Sequence, residues 1–74
     1  MAPDPISYNN LGTYYAGQGF WGRAIPYFNR AVELAPGYAE AWRNLLQAYM
    51  ETGDQGGMER GRRRMEAKVA KRHA

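Results

Sequence analysis

The 74-residue chain has no cysteine and one histidine. Without thiols there is no disulfide, no thiolate metal site and no Cys–His nucleophile pair. A Ser–His–Asp set would have to rest on Ser7 and His73. No His, Cys, Asp or Glu residues are spaced to converge on a metal ion. Glu40 and Glu51 stand eleven residues apart on one surface helix, a poor acid/base pair. Gly53-Asp54-Gln55-Gly56-Gly57 reads as a turn, because no strand precedes it as a phosphate-binding loop requires. The expectation is no enzyme, no metal and no cofactor. No run approaches the ~18 apolar residues of a membrane span. Residues 1–20 lack a basic start, an apolar run and a cleavage pattern. With cysteine absent as well, the expected setting is cytoplasmic.

What the chain does have is a pattern written almost twice at a step of 34 residues. Tyr8 maps onto Trp42, Leu11 onto Leu45, Tyr15 onto Tyr49 and Gly19 onto Gly53. Such a step indicates two copies of one supersecondary unit, each unable to bury its apolar face alone. A core this small contributes only about 3–5 kcal/mol. Ten aromatic residues help, since each can bury about 150–250 Å².

The net charge of +3 is uneven. Residues 1–54 hold three arginines against five carboxylates, a net of −2. Residues 55–74 hold Arg60, Arg62, Arg63, Arg64, Lys68, Lys71 and Arg72 against Glu59 and Glu66, a net of +5.

Four helical segments follow from spacing and punctuation. Pro3 and Pro5 exclude a helix interior in the leader. Asp4 can cap a helix with Pro5 just inside its start. Tyr8, Leu11 and Tyr15 then share one face, and Gly17-Gln18-Gly19 ends the helix. A second helix starts near Phe20 with the stripe Trp21, Ala24, Ile25, Phe28, Ala31, Val32 and Ala35. Pro26 lies inside it, four residues after Gly22, and predicts a tolerated bend. Ala35-Pro36-Gly37 stops it. A third helix covers about residues 38–52, with Tyr38, Trp42, Leu45, Leu46 and Tyr49 inward. The fourth starts at Gln55 with apolar positions Met58, Met65 and Val69. Gly56, Gly57 and Gly61 weaken its beginning by about 1 kcal/mol each.

These residues resemble a tetratricopeptide repeat. The first copy reads Tyr8, Leu11-Gly12, Tyr15, Gly19, Ala24, Phe28, Ala31, Pro36, with tyrosine in the tryptophan place. The second reads Trp42, Leu45-Leu46, Tyr49, Gly53-Asp54, then departs with Met58, Arg62 and Met65. The resemblance implies an all-α fold of two helix-turn-helix repeats stacked as an α-α superhelix. It divides one 1–74 domain into repeat one, about 5–38, and repeat two, about 39–72. Arg62 in a core aromatic's place suggests a last helix that is basic and solvating. No comparable polar cap marks the outer end of the first pair. Two repeats also fall short of the usual minimum of about three. Both features favour a homo-oligomer or a longer repeat array.

The same resemblance implies a protein-interaction module whose first helices line a concave groove. Its groove-facing positions are Ile6, Asn9, Asn10, Thr13 and Gly17, then Glu40, Arg43, Asn44, Gln47 and Glu51. These amides and hydroxyls suit an extended peptide backbone or a C-terminal carboxylate. Members that clamp a chaperone's terminal carboxylate place an asparagine where Asn44 stands, with Arg43 and Asn9 near a basic position, but the rest of that clamp is missing. The alternatives are a self-associating scaffold and nucleic-acid binding through the tail. Arg60, Arg62, Arg63, Arg64 and Lys68 form a candidate patch for an acidic partner. No aromatics interleave with them, so base stacking is unsupported.

Overall fold

The computed structural model describes residues 4–70, with Lys71, Arg72 and His73 outside that range. Four helices follow one another: α1 Pro5–Gly17, α2 Trp21–Leu34, α3 Ala39–Thr52 and α4 Gln55–Ala70. No strand occurs among the described residues. Each helix packs on the next, and α1 also touches α3.

The first helix begins where its sequence signals place it. Asp4 has extended backbone, and its carboxylate accepts from Ile6 N–H at 3.0 Å and Ser7 Oγ at 3.1 Å. These bonds occupy donors that a helix start leaves unpaired.

The two intra-pair turns are the same motif at the 34-residue step. Phe20 N–H donates to the Tyr15 carbonyl at 2.9 Å and Gly19 N–H to Ala16 at 2.9 Å. Asp54 N–H donates to Tyr49 at 2.9 Å and Gly53 N–H to Met50 at 3.1 Å. This double bond pattern ends a helix by turning one residue left-handed. Those residues are Gly19, φ 85°, and Gly53, φ 76°, where a Cβ would be strained.

The core lies between α2 and α3. Ala24, Phe28, Ala31 and Val32 face Ala41, Trp42, Leu45 and Ala48, all buried. Four of these eight are alanines, so the helix axes approach closely and the aromatic residues fill the remaining space. Trp42 Nε1 donates to the Pro36 carbonyl at 2.8 Å, tying the α2–α3 turn to the core. Gly12 lets α1 cross α2: a Cβ there would lie 2.6 Å from Phe28 Cδ1. Pro26 sits in α2 without interrupting it, on the exposed side.

Three readings from sequence change. Spacing puts Leu11 in the inward stripe, yet it is 44% exposed, whereas its counterpart Leu45 is fully buried. The difference is context: α2 packs against α3 at Leu45, and nothing among the described residues covers that side of α1. The glycines of α4 are contact points as well as weak ones. Gly57 and Gly61 are buried, where a Cβ would meet the Tyr49 ring at 2.6 Å and Leu46 Cδ2 at 3.0 Å. Lacking an aromatic at Arg62, α4 closes onto α3 through bare backbone. Its start is also well capped, with Asp54 Oδ1 accepting from Gly57 N–H at 2.8 Å. The buried face therefore begins one residue earlier than the 34-residue step places it. Met65 packs against the core from this helix, while Arg62 is exposed as anticipated.

Candidate protein-interaction surface

Helices α1 and α3 are joined by a polar network centred on Asn9. Asn9 is fully buried. Its Nδ2 donates to Glu40 Oε2 at 3.1 Å and to Tyr38 Oη at 3.3 Å. Its Oδ1 accepts from Asn44 Nδ2 at 3.0 Å. Both amide hydrogens and the carbonyl are thus engaged, the condition under which a buried amide is tolerated. The network holds α1 and α3 at one spacing.

This placement corrects one groove assignment. Asn9 offers nothing to a partner, because its side chain is turned onto α3 and saturated. A stripe rule sorts residues into inward and outward, but α1 has a third side, facing α3, and Asn9 lies on it. Tyr38 belongs to the same network, although spacing alone makes it an apolar stripe member.

The other positions that the resemblance assigns to a groove are accessible to solvent. Asn10, Thr13, Gly17, Glu40, Arg43, Gln47 and Glu51 are exposed and Asn44 is half-buried. Thr13 Oγ1 donates to the Asn10 carbonyl at 2.8 Å, leaving its lone pairs to accept. Asn44 spends one amide hydrogen on Asn9 and retains the second. Among the described residues, Arg43 takes part in neither ion pair, Arg30–Glu33 nor Arg62–Glu59. Ile6 and Met50, 58% and 59% exposed, are apolar. The chemistry on offer is amide and hydroxyl hydrogen bonding with a guanidinium among them.

The basic patch of α4 is only partly free. Arg62 Nη2 bonds Glu59 Oε1 at 2.7 Å, one turn away. Arg64 is a structural residue: its guanidinium lies 5.3 Å over the Trp42 ring, and Nη1 donates to Asn29 Oδ1 at 3.0 Å. Asn29 in turn donates to Tyr49 Oη at 3.3 Å, so one amide joins α2, α3 and α4. Arg60, Arg63 and Lys68 remain as exposed cations, and Lys68 lies beside the hollow formed by Val32, Pro36 and Trp42. Arg64 looked from sequence like another member of a charge run. A buried tryptophan 22 residues earlier, near enough to stack on, was the missing information.

Consecutive antiparallel helix pairs with matching left-handed glycine turns and a shared polar seam define an α-helical repeat protein. Residues 5–38 match the family described as tetratricopeptide repeat. Over 42 residues it is 45% identical to the tetratricopeptide repeat domain-containing protein PYG7, chloroplastic, of Arabidopsis thaliana. That match covers 57% of this chain and 14% of the relative, so the chain spans a small part of that protein's length. No solved structure matches it. Tetratricopeptide repeats generally mediate protein–protein interaction, and the family is typically non-enzymatic. Among the described residues no helix is long and apolar enough to cross a membrane.

Proposed function

We propose that residues 1–74 act as one two-repeat unit that binds an extended segment of a partner protein along the α1–α3 face, with no chemistry of its own. The observation that carries this reading is the division of labour among the asparagines. Asn9 is consumed in fixing the two helices, while Asn10, Thr13, Asn44, Arg43 and Gln47 keep unused donors and acceptors on one side. An extended peptide presents backbone N–H and C=O groups at regular intervals, and amides can answer both. A surface already ordered by the Asn9 network loses little entropy on binding. Arg43 adds a site for a carboxylate, from a side chain or a chain end.

The test is selection from a phage-displayed random peptide library, followed by the Arg43→Ala/Gln47→Ala double variant. Binding by wild type is expected in the micromolar range, about −8 kcal/mol, with at least a tenfold loss in the variant. The helical circular dichroism should not change, since both side chains are exposed. Failure to enrich any peptide, or binding indifferent to the two substitutions, contradicts the proposal.

A further inference from the structure

We infer that the outer face of α1 is a self-association surface, on which a second copy of this chain packs α1 against α1 in antiparallel fashion with Leu11 at the two-fold axis. The face is separate from the α1–α3 groove, so either reading can fail without the other.

The 34-residue correspondence locates the face. Ala41, Leu45 and Ala48 are fully buried in α3. Their counterparts on α1 are Ser7, Leu11 and Tyr14, all exposed, with Tyr14 at 64%. The side of α3 that α2 covers is therefore bare on α1.

The residues there suit a copy of themselves. Asp4, Ser7, Leu11, Tyr14 and Gln18 recur at steps of three and four, the spacing of a helix–helix seam, and all five are exposed. In an antiparallel arrangement Leu11 meets Leu11, the large Tyr14 meets the small Ser7, and the Gln18 amide meets the Asp4 carboxylate. Each end of the seam supplies what the other lacks, as an isologous contact demands. The three central residues carry no charge, so bringing two copies together opposes no like charges. Tyr14 is already braced: its ring meets Tyr15 edge-on at 5.5 Å, and Tyr15 stacks on Tyr27 at 5.5 Å.

Other occupants fit less well. A helix stacked as α2 stacks on α3 needs an alanine where Tyr14 projects. In a head-to-tail stack α4 would bring a helix rich in exposed charges, Glu59, Arg62, Arg63 and Glu66 among them, onto this uncharged stripe. The seam is one helix of 13 residues, and a single helix crossing falls short of the ~800 Å² per partner of a standard interface. The association is accordingly weak and concentration-dependent.

The experiment is sedimentation equilibrium on the full chain between about 10 μM and 1 mM, the range a weak dimer requires. The mass should rise from 8.4 kDa toward twice that value. Leu11→Glu should stay monomeric with unchanged helical circular dichroism, and Met50→Glu on α3, outside this face, should dimerise like wild type. A wild type that is monomeric throughout, a dimer that survives Leu11→Glu, or equal loss with Met50→Glu overturns the proposal. If Leu11→Glu fails to fold, the absence of native cysteine supplies a second readout. Leu11→Cys should form an intermolecular disulfide under mild oxidation at least tenfold faster than Met50→Cys, and equal rates overturn the proposal.

Discussion

Replacement of Trp42 by alanine should leave the chain largely unfolded at room temperature. The ring is 2% exposed and is the largest side chain in a core where four of eight residues are alanine. Truncating a buried tryptophan costs about 3–5 kcal/mol. A single core of this size supplies about that much in total. The indole also makes two specific contacts. Its N–H donates to the Pro36 carbonyl at 2.8 Å, and its face carries Arg64 at 5.3 Å. Removing it frees the α2–α3 turn and the anchor of α4 together. Trp42→Phe keeps a ring and should fold with a lower midpoint. Thermal melts followed by far-UV circular dichroism distinguish these outcomes. A cooperative Trp42→Ala transition within a few degrees of wild type would contradict this packing.

The second large effect is expected at Gly12. A Cβ at this position lies 2.6 Å from Phe28 Cδ1, and the ring is itself buried. Gly12→Leu must separate α1 from α2 or force Phe28 out of its rotamer. Overpacking of this kind costs about 1–3 kcal/mol. In a domain of this size each kcal/mol lowers the melting midpoint by roughly 4–8 °C. Gly22 is the control, because it lies in α2 with open space around it. Gly22→Ala should be neutral or stabilise by up to about 1 kcal/mol through helix propensity. Equal destabilisation at both glycines would mean that the α1–α2 crossing is not where Gly12 places it.

Both effects are visible in the sequence because they belong to the repeat. Trp42, Gly12, Phe28 and the glycine turns stand at motif positions of the repeat, and each has one local physical reason. What escapes is contact beyond the repeat's own helix pair. Asn9 reads as polar and hence outward, yet α3 approaches from a side that α1's apolar stripe does not mark. Gly57 and Gly61 read as propensity losses, because a glycine's lack of a side chain shows its use only when the opposing Tyr49 and Leu46 are in place. Arg64 reads as one more cation until Trp42 lies beneath it. Leu11 fits the stripe by spacing, and only the absence of a packed helix against that side of α1 exposes it. Periodicity describes one face per helix, whereas stacked helices use two or three.

Two consequences for function follow from the same geometry. The polar seam between α1 and α3 is part of the fold, with Asn9 buried in it and Glu40 and Asn44 at its accessible edge. The cations of α4 are divided: Arg62 and Arg64 are engaged by Glu59 and by Asn29 and Trp42, while Arg60, Arg63 and Lys68 are exposed without such a bond among the described residues.

The most direct test of the interaction reading is an amide chemical-shift titration of the labelled chain with a peptide selected on it. The largest shifts should fall on Asn10, Thr13, Arg43, Asn44 and Gln47, with the buried Asn9 side-chain amide moving only slightly and α4 silent. Shifts concentrated on Arg60, Arg63 and Lys68, or on no contiguous surface, would contradict a binding face on α1 and α3.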